Sequence, residues 1–571
     1  MNRSKSFTRK IAYIAAIALL LLPLAAISQP AAVDPDRADG GSPGGKLAQL
    51  RTEYNLAQAE LGEIDPASET MKLATLGMRG PAANILWAWA IHYKKVEDWD
   101  KLESTVQQII RLQPNFLEVW DFQAHNLSYN VSVEFDDYRM RYRWVKEGIN
   151  FLILGTHYNR QEPGLLNQVG WFTGQKIGRA DESKQFRRMF QDDRDFHQVF
   201  RENGIEVDQF EALGLNAKPD NWLVARLWYN KATDAVTFGD KPIRGKSELL
   251  FYSGSPMSRI NAAAAMQKDG LFFDVAVASW EKAYDEWKND YGNRELPTSQ
   301  GYLIRLSDKE PLEQRLVKLK AEVEELAPGV REQIRQDKLD KLSAESRAAL
   351  EKPASERSGE EFNLAYMAGL ETGVTVQEIY DRAGREARPR LRTLVEQIQS
   401  DESQIETIGR NRQIVNFEYW RTRCEAERTD QAQRAREDVY EADRKFASGE
   451  NFDEARQQYE RAWDAWDQIF TKYPTLMDNA EAQDLIVSIG KYRDLLGQLD
   501  ERFPLDFKLN RLLDVHHEGQ ELREQVRLLH EAAGPAAPEA KPAEDKPAED
   551  KPAEDKPAED KPAEDKPAED K

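Results

Sequence analysis

Apolar residues recur at helical spacing over most of the chain, most regularly in residues 81–114. There the apolar positions fall three or four residues apart, which is typical of amphipathic helices. The polar step Glu97-Asp98 interrupts the pattern, and Pro114 cannot continue a helix. We therefore predict two antiparallel helices with a turn at Glu97-Asp98. The positions predicted to be buried are Leu86, Trp89, Ala90, Tyr93, Leu102, Val106 and Ile109.

Two distant stretches of the chain, residues 270–287 (GLFFDVAVASWEKAYDEW) and 449–466 (GENFDEARQQYERAWDAW), are near-copies of each other. Aligned without gaps, they share a glycine, a phenylalanine, two aspartates, two alanines, a glutamate and a tryptophan. Self-similarity of this kind indicates repeated helical units. Both copies have one residue more in their turn than a standard helix–turn–helix repeat. This shared irregularity favours duplication within this chain.

The spacing of small and aromatic residues in these units resembles the tetratricopeptide repeat, a 34-residue helix–turn–helix unit. Leu102 and Ile109 depart from it, because they replace the usual alanines. The resemblance implies a superhelix of paired α-helices whose concave groove binds proteins. The residues predicted to pack successive helices together are Ala90, Tyr93, Trp99, Pro114, Trp120, Ala124, Phe273, Ala276, Trp280, Ala283, Phe452, Ala455, Tyr459 and Ala462.

Between these units, residues 311–399 are poor in aromatics and rich in Glu, Lys, Arg and Leu. We expect a charged helical arm with coiled-coil-like character, and favour a solvated spacer over a binding site. Residues 343–361 are predicted to be a polar helix and loop, and Thr375 with Glu378 predicts a capping box.

The predicted organisation is all-α, with two tetratricopeptide-like bodies at residues 46–297 and 400–532. The charged arm, residues 298–399, joins them. In the second body we expect one long helix to end near Ala447, a helix from Phe452 to Tyr473, and helices around 484–503 and 509–530. Glycines 170 and 174 are expected to allow close helix approach.

The first 28 residues have the order of an export signal, with basic residues before the apolar run 11–27. This run is also almost long enough to span a bilayer. A cleaved signal peptide and a retained transmembrane anchor are both compatible with the pattern. Either one places the later residues outside the cytoplasm. Residues 29–45, rich in Pro, Gly and Asp, are predicted to be a flexible linker.

The C-terminal residues 533–571 contain the sequence Lys-Pro-Ala-Glu-Asp six times in succession. Proline at every fifth position opposes helix and sheet, and no large apolar side chain is available for burial. We predict a disordered tail that acts as a spacer or surface brush.

The net charge of −21 argues against a nucleic-acid partner, because phosphate binding needs a basic surface. The single cysteine, Cys424, excludes a disulfide within the chain and is interpreted as an inert thiol on a helix. Tryptophan and tyrosine cluster at residues 87–99, 280–291 and 459–473. Because these aromatics have helical spacing, they are interpreted as core residues.

No constellation of residues typical of catalysis is apparent, and we predict a non-enzyme without cofactor or metal. Residues 239–247 (GDKPIRGKS) depart from the phosphate-binding P-loop in spacing and contain Pro242. His516 and His517 are adjacent, whereas a zinc pair on a helix is spaced i, i+4. Ser253-Gly254-Ser255 lacks the nucleophile elbow of hydrolases.

The leading functional hypothesis is a protein–protein interaction scaffold at the cell envelope, exported or held in the membrane by its N-terminal segment. The chain, including residues 251–264 (FYSGSPMSRINAAA), is also similar to large envelope proteins of planctomycete-type bacteria. A small-molecule-binding protein or enzyme with a site between the two bodies is the alternative. A purely structural envelope component is a third possibility.

Overall fold

The structure is a computed structural model that describes residues 79–160, 162–298, 301–478 and 482–533, with isolated positions before residue 51. Nearly all regular structure in these ranges is helical, so the all-α prediction is confirmed. The predicted signal or anchor (1–28), the linker (29–45) and the tail beyond residue 533 lie almost entirely outside the described residues. Among the described helices, none has both the length and the apolar character needed to cross a bilayer.

The chain is a succession of helices interrupted by one short strand pair. The helices before the pair are α1 (Arg79–Lys95), α2 (Trp99–Leu112), α3 (Leu117–His125), α4 (Tyr138–Tyr158), α5 (Pro163–Trp171), α6 (Ser183–Asp192), α7 (Arg194–Glu202), α8 (Asn221–Thr237), α9 (Glu248–Tyr252), α10 (Gly254–Lys268) and α11 (Asp274–Asp285). The strands β1 (Leu296–Pro297) and β2 (Leu303–Ile304) pair in antiparallel fashion. The helices after the pair are α12 (Lys309–Leu326), α13 (Val330–Leu339), α14 (Ala344–Glu351), α15 (Gly359–Thr372), α16 (Val376–Arg382), α17 (Arg388–Ile414), α18 (Phe417–Glu427), α19 (Asp430–Ser448), α20 (Phe452–Lys472), α21 (Gln483–Gln498), α22 (Asn510–Val515) and α23 (His517–Ala533).

Helices α1 and α2 form the hairpin that the apolar spacing predicts. Glu97 has a φ of 57°, and the Asp98 side chain accepts a hydrogen bond from the Lys101 N–H at the start of α2. Ala90 and Val106 are completely buried. The predicted burial of Trp89 is wrong, because 53% of this residue is exposed. Helix α1 is apolar on several faces, so periodicity alone did not determine which face contacts the core.

Two glycines of the α5 segment permit close contact with α8, as the sequence predicts. A Cβ atom on Gly170 would lie 3.0 Å from the carbonyl oxygen of Ala225. At Gly174 a Cβ atom would lie 3.0 Å from the ring of Trp222. Any larger side chain at these two positions would therefore push the helices apart.

The single long helix predicted to end near Ala447 is wrong, since the chain forms α17, α18 and α19 there. Asn416, at the first break, has a left-handed φ of 53°. At the second break, the Thr429 hydroxyl accepts a hydrogen bond from the Ala432 N–H and caps α19. Asparagine tolerates left-handed backbone and threonine is a good N-cap, so both residues favour helix ends. The helix predicted around 509–530 is likewise divided, at His516, into α22 and α23.

The two near-copies differ in their turns, although the aligned turns have equal length. Helix α20 begins at Phe452 after Asn451, whose side chain accepts a hydrogen bond from the Glu454 N–H. Helix α11 begins one aligned position later, after Phe273, which has a φ of 57°. The residue aligned with Asn451 is Phe272, whose side chain cannot cap a helix. Both copies therefore have the extra turn residue in their sequences, but the backbone conformations of the two turns differ.

The buried apolar residues form several clusters along the chain. The largest cluster contains residues between Ala90 and Phe251, and another contains residues between Tyr419 and Val526. A third cluster, between Leu249 and Cys424, draws residues from both predicted bodies and from the start of the arm. The predicted division into two bodies and an arm stays a prediction.

The segment predicted to be a solvated arm has a buried core of its own. Helices α12, α13, α16 and α17 contribute Val323, Ile334, Ile379, Leu391 and Leu394 to one cluster. The capping box at Thr375 and Glu378 is confirmed at the start of α16. The predicted solvation is wrong for these positions, because the leucines and isoleucines of several helices meet there and exclude water. The role as a spacer stays a prediction.

Candidate interaction surface

The candidate functional surface lies on a hairpin of the arm, formed by α14 and α15. Ser343 caps α14, and Ser358 with Glu361 forms a capping box at the start of α15. Between the helices, Arg357 donates hydrogen bonds to the carbonyl oxygens of Lys352 and Leu350 over 2.9 and 3.0 Å. These contacts hold the connecting loop and fix the direction of α15.

An ion pair reinforces the same hairpin. The Lys352 ammonium donates to both carboxylate oxygens of Glu361 over 3.0 and 2.8 Å. The hydrogen bond from Lys352, together with that from the Ser358 N–H, lowers the pKa of Glu361 to about 2. Glu361 therefore stays ionised at neutral pH while it serves both the ion pair and the helix cap.

Helix α15 presents its large apolar side chains to solvent and its small residues to the protein. Ala365 and Ala368 are buried. In contrast, Phe362 is 56% exposed, and Tyr366 and Leu370 are each 61% exposed. These three residues are spaced i, i+4, i+8 and form one stripe, with the 53% exposed Met367 beside it. An ordinary surface helix has the opposite arrangement. Contiguous apolar patches on protein surfaces are a common feature of interaction sites.

The hairpin around this stripe is acidic. Residues 343–373 contain six glutamates and three basic residues, Arg347, Lys352 and Arg357, for a net charge of −3. All three basic side chains make contacts within the protein, to Glu361 or to main-chain carbonyl oxygens. The surface that surrounds the apolar stripe therefore carries negative charge.

The fourteen residues predicted to pack successive helices lie in or beside the core. Ten of them are buried, and Tyr93, Trp99, Phe273 and Phe452 are partly exposed. They belong to α1, α2, α3, α11, α20 and adjoining turns, so they do not form a single site. Their assignment to tetratricopeptide repeats stays a prediction.

A cleft of about 320 Å³ lies between the predicted bodies, where the alternative hypothesis expects a ligand site. Four of its charged groups form two ion pairs. Lys268 contacts Asp484 at 2.8 Å, and Lys491 contacts Asp443 at 2.5 Å. Asp443 also accepts a hydrogen bond from the Tyr459 hydroxyl. These contacts connect α10, α19, α20 and α21. The cleft is also lined by Arg423 and by Arg436, which pairs with Glu427 at 2.5 Å.

The remaining candidates for catalysis or metal binding in the sequence are Cys424, His516 and residues 239–247. Cys424 is buried, which raises the pKa of its thiol to about 12. His516 contacts the Met477 carbonyl oxygen, and no group of three or more metal-ligating side chains occurs within the described residues. Residues 239–247 follow helix α8, whereas a P-loop follows a strand.

The chain matches no protein-family model, no curated protein and no solved structure. The surfaces of this molecule therefore provide the evidence for its function. Sequence reasoning missed the α15 stripe, although the i, i+4, i+8 spacing of Phe362, Tyr366 and Leu370 was a usable signal. The spacing alone, however, does not indicate whether this side of the helix faces the core or the solvent.

Proposed function

We propose that this protein is a scaffold for protein–protein interaction at the cell envelope, built of two tetratricopeptide-like bodies joined by a helical arm. The proposal includes export or anchoring through the N-terminal segment. Its main support is the exposed apolar stripe of α15, because leaving such a stripe in water is unfavourable unless a partner covers it.

The partner that suits this stripe is an amphipathic helix with basic residues beside its apolar face. Leu370 and Phe362 would enter the partner's apolar side, as in other helix-to-groove contacts. The negative charge of the hairpin favours lysine or arginine at the rim. The same charge disfavours an anionic lipid surface, which attracts basic segments.

Site-specific photo-crosslinking in the native cells tests the proposal. A photoreactive residue is placed at Tyr366 in the full chain. The matched control position is Val317 in α12, an isolated apolar residue of the arm that is 70% exposed. We expect a defined protein cross-link at position 366 only, with the cross-linked peptide being amphipathic and basic.

A second variant, Tyr366→Glu with Leu370→Glu, should weaken binding of the identified partner by about tenfold or more. Val317→Glu adds the same type of charge in the arm and should leave binding unchanged. Cross-links to lipid alone, or equal cross-linking at both positions, would contradict the proposal.

A further inference from the structure

A second cleft lies far from α15 in sequence, between α1, α3, the start of α5 and residues 239–247. It has a volume of about 550 Å³, within the range of small-molecule sites. Trp87, Leu117, Phe122 and Leu165 form its apolar wall. Charged side chains of both signs also line it, from four separate elements of the chain. They are Lys94, Glu118, Asp121, Glu162, Arg244 and Lys246.

One basic group of the cleft, Lys246, is held in place from the core. The Lys246 ammonium donates a hydrogen bond to the Asn167 Oδ1 over 2.8 Å. Asn167 is itself buried and is oriented toward the Phe251 carbonyl oxygen. Although much of Lys246 is exposed, burial of its amine lowers the pKa of this group, an effect that Asp121 opposes. A lysine fixed in this way is preorganised to meet a carboxylate.

One acidic group of the cleft, Glu162, is incompletely paired. Glu162 Oε1 is buried without a hydrogen-bond partner among the described residues. Its Oε2 atom accepts a long hydrogen bond of 3.4 Å from Arg244, and the Gly164 N–H also lies near the carboxylate. Burial raises the pKa of Glu162, with Arg244 acting in the opposite direction, and burial also raises the pKa of Asp121. A buried carboxylate oxygen without a donor is costly, and a ligand ammonium would supply that donor.

We propose that this cleft binds a small zwitterionic ligand with an apolar body, the chemistry shared by free amino acids and short peptides. The ammonium would contact Glu162 and Asp121, the carboxylate would contact Lys246 and Arg244, and the apolar body would pack on Trp87 and Phe122. A simple anion such as phosphate would face three carboxylates, and a simple amine would face three cations. A zwitterion complements groups of both signs, so the balance of three acidic and three basic groups favours it.

Calorimetric titration of the purified full chain tests the assignment with defined probes. Phenylalanine and the dipeptide phenylalanyl-leucine represent the two sources of the zwitterion. N-acetyl-phenylalanine lacks the ammonium, phenylalanine amide lacks the carboxylate, and inorganic phosphate is the anion control. We expect one zwitterion to bind in a saturable way, and each blocked analogue to bind about tenfold or more weakly. The stronger of the two zwitterions identifies the source.

Variants locate the binding in this cleft. Glu162→Gln and Lys246→Met should each weaken the zwitterion about tenfold. Glu295→Gln, which alters an exposed ion pair with Arg305, is the control and should bind normally. Thermal unfolding of each variant shows that it is folded. Absence of saturable binding by both zwitterions, equal binding of N-acetyl-phenylalanine, tighter binding of phosphate, or unchanged affinity in Glu162→Gln would each overturn the proposal. None of these results bears on the α15 surface.

Discussion

The indole N–H of Trp287 donates a hydrogen bond to the main-chain carbonyl oxygen of Phe417 over 3.0 Å. The two rings also stack, with their centroids 5.7 Å apart. Both residues are buried, although 130 positions separate them in the chain. This contact joins the end of the first near-copy to the start of α18. It connects the predicted first body to the predicted second body.

We expect Trp287→Phe to lower the free energy of unfolding by about 1–3 kcal/mol. The variant removes the indole hydrogen bond to the Phe417 carbonyl oxygen and also removes volume from the core. Urea unfolding measures the loss. Trp89→Phe is the matched control, and it should change stability by less than about 0.5 kcal/mol because Trp89 is exposed. Equal effects of the two substitutions would show that the Phe417 contact contributes nothing specific.

Gly170→Ala should destabilise the protein by about 1–3 kcal/mol, since the added methyl group would press on the Ala225 carbonyl oxygen. Helix propensity alone predicts the opposite sign, a gain of roughly 1 kcal/mol. The sign of the change in urea unfolding therefore distinguishes the two effects. Gly409→Ala in α17, where a Cβ atom would meet nothing within 4 Å, should show the propensity gain.

Helix α15 offers a test of its inverted arrangement. Ala368→Leu should overpack the hairpin and destabilise it by about 1–3 kcal/mol. Leu370→Ala removes a larger, exposed side chain and should change stability by less than about 0.5 kcal/mol. Hydrogen exchange of the α14–α15 amides reports on this hairpin directly. A larger loss for Leu370→Ala than for Ala368→Leu would mean that the apolar stripe is covered within the monomer.

Stability should also depend on pH through His197. Burial lowers the pKa of this imidazole, and the nearby Asp193 acts in the opposite direction. The unfolded chain therefore binds the proton more readily than the folded chain. The contribution of neutral His197 to the free energy of unfolding is complete above the pKa of the unfolded chain, about 6.5. It is lost as the pH falls below that value.

Urea unfolding between about pH 7.5 and 5.5 checks this prediction. The free energy of unfolding of the native chain should fall toward the acidic end. His197→Gln has no ionisable group at this position, so its pH dependence should be flatter. Parallel curves for the two proteins would show that His197 does not titrate differently on folding.

Local sequence signals predicted much of the helical framework. The Glu97-Asp98 turn, the Thr375 capping box and the pair of glycines at 170 and 174 each depend on residues that are near one another in sequence. Each of these features occurs as expected. Cap chemistry and apolar spacing act over one or two helical turns, so the sequence alone contains them. The all-α class follows from the same local signals.

Tertiary packing decided the rest. It determined that Trp89 faces solvent, that α15 turns Ala368 inward and Leu370 outward, and that Lys246 meets Asn167 in one cleft. In each case the sequence offered more than one apolar face, or residues far apart in the chain. The neighbours that cover a helix face are distant in sequence, and periodicity carries no information about them. The sequence by itself therefore determined which segments are helical, and only the tertiary structure determined which side chains remain available for a partner or a ligand.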